Sequence, residues 1–124
     1  QHFKAVDHPN YTLLYDALHL SVTGEDYLGY ISEFLGKTRN ILIHSTREAK
    51  PGEEATMEKN GKQWVSGVLP DEPGAQDWAA VFKAFKRLGY DGLVTVIESD
   101  WAVERREEVA RHCAKAVRKL WDEA

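Results

Sequence analysis

At 124 residues the chain has the length of one ordinary domain, and 43% apolar against 29% charged residues is the balance of a chain that buries a core rather than a disordered one. A formal net charge of -4, with no dense Lys/Arg stripe, leaves no basic surplus to neutralise phosphates, which argues against a nucleic-acid partner and against an anionic membrane surface. The one cysteine, Cys113, cannot close an intrachain disulfide; no apolar run approaches the ~20 residues of a membrane span and nothing has the pattern of a signal peptide, so a cytoplasmic location is expected.

The chain opens at Gln1 without an initiator methionine, with Phe3 and Val6 spaced as at the end of a helix, and is expected to be a fragment. Residues 12–15, Thr-Leu-Leu-Tyr, form a short apolar run that ends on Asp16 and reads as a buried strand. A helix is predicted over residues 25–35, with Tyr27, Ile31, Phe34 and Leu35 on one face and Gly36 as its stop. Residues 41–43, Ile-Leu-Ile, make a second strand ending on His44. Residues 50–76 are rich in Gly, Pro, Glu and Lys and break the alternation. Within them Asn60-Gly61, flanked by residues 55–58 and 63–66, predicts a small β-hairpin on the face where the strand C-termini emerge.

Asp77 is a good N-cap for a second helix carrying Trp78, Val81, Phe82, Phe85 and Leu88 at three- and four-residue steps, closed by Gly89. Residues 93–97, Leu-Val-Thr-Val-Ile, give a third buried strand ending on Glu98. A last helix, from about residue 102 to 121, would bury Val109, Cys113, Val117 and Leu120, with Arg105, Arg106, Glu107 and Glu108 on its solvated side. Strand and helix thus alternate along the chain, which argues for a parallel α/β sheet.

Each of the three strands ends in a side chain that binds metals: Asp16, His44 and Glu98. Taken singly, a polar residue closing a strand is more often the start of a loop. At the same point of three successive β/α units, such residues converge on one face of a parallel barrel. Together they make a mixed O/N site suited to Mn2+, Mg2+, Co2+ or Zn2+.

Leu14-Tyr15-Asp16-Ala17-Leu18-His19 is similar to the strand-end Asp-x-x-His of the sugar phosphate isomerase/epimerase family, the xylose isomerase-like TIM barrels. Residues 41–44 resemble that family's next strand, ending on a ligand His. Residues 78–85 and 88–92 look like its late helix and turn, and residues 95–98 like its last strand, ending on the final ligand. The resemblance implies that residues 1–124 are a single partial domain, the C-terminal three β/α units of a (β/α)8 TIM barrel with a hairpin insertion around residues 55–66.

It makes Asp16, His44 and Glu98 metal ligands, with Glu98 also the catalytic acid/base. His19 would bind substrate, and Arg47, with Lys50 a weaker candidate, would meet a substrate hydroxyl or phosphate. Trp64 and Trp101 line a pocket or pack; His2, His8 and His112 match nothing and read as ordinary polar residues. The family's first ligand, a Glu on an earlier strand, has no counterpart here, because a closed barrel takes typically ~250 residues. The chain alone is therefore expected to be inactive and to leave its sheet edges exposed.

The implied function is a divalent-metal-dependent isomerase or epimerase of a sugar or sugar phosphate, acting by proton transfer next to a carbonyl through an enediolate. A metal-dependent dehydratase of the same superfamily is the alternative. So is a non-catalytic half-barrel that assembles with a partner, the missing N-terminal half, a second chain or another copy of itself. The AP-endonuclease branch is disfavoured: it needs a further Asp-x-His between the last two strands, and no histidine lies between His44 and Glu98.

Overall fold

A computed structural model of the chain describes residues 6, 8–97 and 100–124. In chain order the elements are β1 (Leu13–Asp16), α1 (Ala17–Thr23), α2 (Gly29–Phe34), β2 (Thr38–Ile43), β3 (Ser45–Glu48), β4 (Met57–Lys59), β5 (Lys62–Val68), α3 (Trp78–Arg87), β6 (Leu93–Val96) and α4 (Arg106–Glu123). Short 3-10 turns, Leu35–Lys37 and Val103–Arg105, precede β2 and α4. Strands β1, β2 and β6 pair in parallel in the order β1-β2-β6, so the domain is mixed α/β with a parallel sheet.

The parallel sheet has two unlike faces because side chains alternate along each strand. Tyr15, Ile41 and Ile43 point to the helices and are buried with Ile31 of α2 and with Trp78, Val81, Phe82 and Phe85 of α3. The spacing of those four α3 residues is the stripe seen in the sequence, and Asp77 caps the helix by accepting from the Ala80 N–H at 2.9 Å. Phe85 sits at the centre, with the Tyr15 ring 5.1 Å and the Tyr90 ring 4.9 Å away. Removing so large a buried ring leaves a cavity; Phe85→Ala should lower the free energy of unfolding by about 3–5 kcal/mol. A urea titration showing a lower midpoint with an unchanged slope checks this.

On the opposite face the register aligns Leu14 with Asn40 and Leu93, and Asp16 with Leu42 and Thr95. Leu14 is 49% and Leu93 70% exposed. The third strand, expected to be buried, is thus largely exposed, because nothing among the described residues covers the helix-free face or the far edge of β6.

The expected hairpin is present: β4 and β5 pair antiparallel, Lys59 opposite Lys62. Asn60 and Gly61 take φ of 53° and 69°, the left-handed values that a two-residue hairpin turn requires. A third strand, β3, was not expected. It follows His44 immediately and pairs with β5, giving an antiparallel sheet in the order β3-β5-β4. Its first three residues, Ser45, Thr46 and Arg47, are polar and buried because each finds a partner. The Trp78 indole N–H donates to the Ser45 hydroxyl at 2.8 Å, and the Thr46 N–H to the Gln76 amide oxygen at 2.9 Å.

One helix is unexpected and another is shorter than expected. The segment after Asp16 is helical, whereas the helix expected over 25–35 is shorter, and Gly36 lies inside its trailing 3-10 turn. No helix among the described residues is long and apolar enough to cross a membrane.

Candidate metal centre

Asp16 ends β1 and begins α1, and its two carboxylate oxygens divide the work. Oδ1 accepts from the N–H groups of Leu18 at 3.0 Å and His19 at 3.4 Å, capping the helix. Oδ2 turns the other way, 3.5 Å from His44 Nδ1 and 3.6 Å from His19 Nε2. The cap fixes the carboxylate, and one turn of α1 brings His19 round to the same side.

His44 stands between the parallel sheet and β3, its N–H donating to the Leu42 carbonyl at 3.1 Å. Its ring touches a carboxylate at each nitrogen: Asp16 at Nδ1, and Asp100 Oδ2 at 3.1 Å from Nε2. The Asp16 carboxylate raises the His44 pKa, burial opposes, and Asp100 adds to the rise. The His44 and Asp16 side chains are only 15% and 11% exposed, whereas His19 is 72% exposed. The two imidazoles meet edge to face, with centroids 6.1 Å apart.

One ligand atom from each of Asp16, His19 and His44 lies within 4.8 Å of the others. Donors bound about 2.0–2.2 Å from one ion sit about 3.0–3.5 Å from each other, so the two Asp16–His spacings are near ligand distances, and the exposed His19 ring can rotate to close the third. The donor set of one carboxylate and two imidazoles suits a divalent transition metal such as Zn2+, Mn2+ or Co2+ better than an all-oxygen ion such as Mg2+. The field that favours a proton on His44 favours a metal cation for the same reason.

The expected ligands Asp16 and His44 are therefore together, and His19, expected at the substrate, joins them. Glu98 lies outside the described residues. Asp100, which the sequence reading passed over, contacts His44; the signal was a second carboxylate two positions after a strand-end carboxylate. Arg47 lies in β3 rather than in a loop, and its guanidinium is engaged by Glu53 at 2.7 and 2.8 Å and by Glu72 at 2.8 Å. Lys50 is exposed, its backbone N–H donating to Glu53 at 2.8 Å. Trp64 packs with Leu18 and Val22, while Trp101 lies under the Arg105 guanidinium at 4.9 Å. His112 pairs with Asp71 at 2.9 Å, and His8 Nδ1 accepts from the Asn10 N–H at 3.2 Å.

The Arg47 guanidinium, then the Lys50 N–H, hold the Glu53 carboxyl at about 2, well below its ordinary 4.5. A depressed folded-state pKa contributes stability that is present above the unfolded value and is lost as pH falls through the folded one. Unfolding titrations between pH 5 and pH 2 should show the wild type losing more stability than Glu53→Gln across that window. Parallel curves would show that the pair contributes nothing.

Fold and site together define the class: a mixed α/β domain with imidazole and carboxylate donors at the C-terminal ends of adjacent parallel strands. No family model matches the chain. Among curated proteins, an inosose dehydratase of Geobacillus thermodenitrificans is similar, at 26% identity over 119 residues, which is 94% of this chain and 40% of that protein. The chain thus spans less than half the length of the curated relative it matches.

Proposed function

We propose that the chain is the C-terminal three β/α units of a (β/α)8 barrel and forms one side of a divalent-metal site that abstracts a proton next to a carbonyl of a sugar or polyol-like substrate. The observation that carries this reading is the placement of Asp16 and His44. They stand at the C-terminal ends of neighbouring parallel strands, where a barrel keeps its active site, with donor atoms 3.5 Å apart, and Asp16 aligns with the helix-free face, which a barrel turns inward. The exposed Leu14 and Leu93 on that face support further strands, supplied by the missing N-terminal half, by a second chain or by another copy.

A divalent cation held there would polarise the substrate carbonyl and acidify the adjacent C–H. Asp16 and His44 would hold it. His19, exposed at the rim, would either complete the donor set or hydrogen-bond a substrate hydroxyl. Glu98 would take the proton and return it. Arg47 would reach a substrate only by leaving Glu53 and Glu72, so we assign it to holding the excursion between β3 and α3.

Proton abstraction serves two outcomes. Return of the proton to the same or the neighbouring carbon gives epimerisation or aldose-ketose isomerisation. Loss of the hydroxyl one carbon further, protonated as it leaves as water, gives dehydration. Similarity to a protein named inosose dehydratase favours dehydration.

The test uses the complete protein with Mn2+ or Co2+ in deuterated water, offered inosose, ketoses and aldoses, with NMR following deuterium at the carbon next to the carbonyl. Exchange is expected for either outcome, and the product distinguishes them. Metal binding without exchange would overturn the reaction. Neither metal nor exchange would leave a half-barrel with a binding or assembly role.

A further inference from the structure

Behind His44, on the side away from Asp16, two further residues meet. Asp100 places Oδ2 3.1 Å from His44 Nε2, and Gly67 of β5 lies against Asp100. Gly67 takes a φ of +71° within a strand, and a Cβ built on it would fall 2.6 Å from the Asp100 Cβ. Both the backbone conformation and the space exclude a side chain there. The excursion sheet is thereby shaped to admit a carboxylate behind the histidine.

An ionised carboxylate only accepts hydrogen bonds, and of the two carboxylates beside the ring Asp100 is within hydrogen-bond distance, 3.1 Å from Nε2, whereas Asp16 stands 3.5 Å from Nδ1, so the single proton of the neutral ring belongs on Nε2. In the neutral imidazole this puts the N–H on Nε2 and the lone pair on Nδ1. Nδ1 is the nitrogen that looks toward Asp16 Oδ2. We propose that Asp100 is a positioning residue that fixes the ring and tautomer of His44 so that Nδ1 is presented to the metal, and that Gly67 is required to seat it. The proposal rests on the metal reading above. Carboxylates behind ligand histidines are worth about 10–100-fold in metal affinity.

Asp100→Ala, Asp100→Asn and Gly67→Ala are compared with wild type in the complete protein. Calorimetric titration with Mn2+ gives affinity, and 15N spectra of the histidine rings in the metal-free protein, recorded above the His44 titration, give the tautomer. Asp100→Ala should lose about 10–100-fold in Mn2+ affinity and the preference for Nε2–H. Asp100→Asn, whose amide oxygen still accepts, should recover the tautomer and part of the affinity. Gly67→Ala should resemble Asp100→Ala, with circular dichroism confirming that it folds; the Asp100 variants decide the matter if it does not. A purely structural Asp100 would leave the tautomer unmoved. Wild-type affinity together with retained Nε2–H in Asp100→Ala overturns this proposal alone, whereas a wild type that binds no Mn2+ overturns the metal reading and the proposal with it.

Discussion

Asp16→Asn is expected to weaken metal binding by more than about 100-fold while leaving the stability of the fold within about 0.5 kcal/mol of wild type. The two effects separate because the two oxygens do different things. Oδ1 caps α1 through the Leu18 and His19 N–H groups, and an asparagine amide oxygen caps about as well. Oδ2, near both imidazoles, supplies the charge, and its amide replacement offers no anion to a cation. The floor of 100-fold follows because groups one shell further out already account for about 10–100-fold. Asp16→Ala should lose the cap as well, costing about 0.5–2 kcal/mol. Calorimetric metal titration beside thermal melts of the three proteins reads both quantities. Unchanged affinity in Asp16→Asn would reduce Asp16 to a helix cap and remove the centre's only charged ligand among Asp16, His19 and His44.

That double role explains part of what could be read in advance. Asp16 was legible as a strand end because Leu13 to Tyr15 is apolar, but the same residue is an N-cap, and the short helix it starts has Ser21, Val22 and Thr23, poor helix formers, at its end. Tertiary cover of Ala17, Leu18 and Val22 decides that segment, and a short window cannot show it. The α3 stripe, its Asp77 cap and the Asn60-Gly61 turn were legible because their causes are local. Strand β3 was not, since Ser45, Thr46 and Arg47 are buried by partners 19 to 33 residues away or by Glu53 and Glu72 rather than by apolar periodicity. Asp100 was hidden for the same reason: its partner His44 is 56 residues distant. Residues 93–96 read as buried from composition, yet burial also needs a neighbour to supply it.

The other large effect falls on Glu98. Pairing between β2 and β6 runs on past Val96, with the Ile97 N–H donating to the Ile43 carbonyl at 3.1 Å, and Glu98 is the next residue in the chain. On the proposed reading it is the group that takes the substrate proton. Glu98→Gln preserves size and one oxygen but cannot accept a proton at neutral pH, and general-base assistance is worth roughly 100- to 10,000-fold. In the complete protein kcat should fall within that range at saturating metal, with the melting temperature little changed. The loss of one negative charge would also weaken metal binding, so the rate must be read at metal concentrations shown to saturate the variant. His19→Ala provides the contrast: a side chain that meets a substrate hydroxyl should raise KM and spare kcat. If Glu98→Gln turns over within a few-fold of wild type under those conditions, the proton is moved by another group and the acid/base role of Glu98 fails.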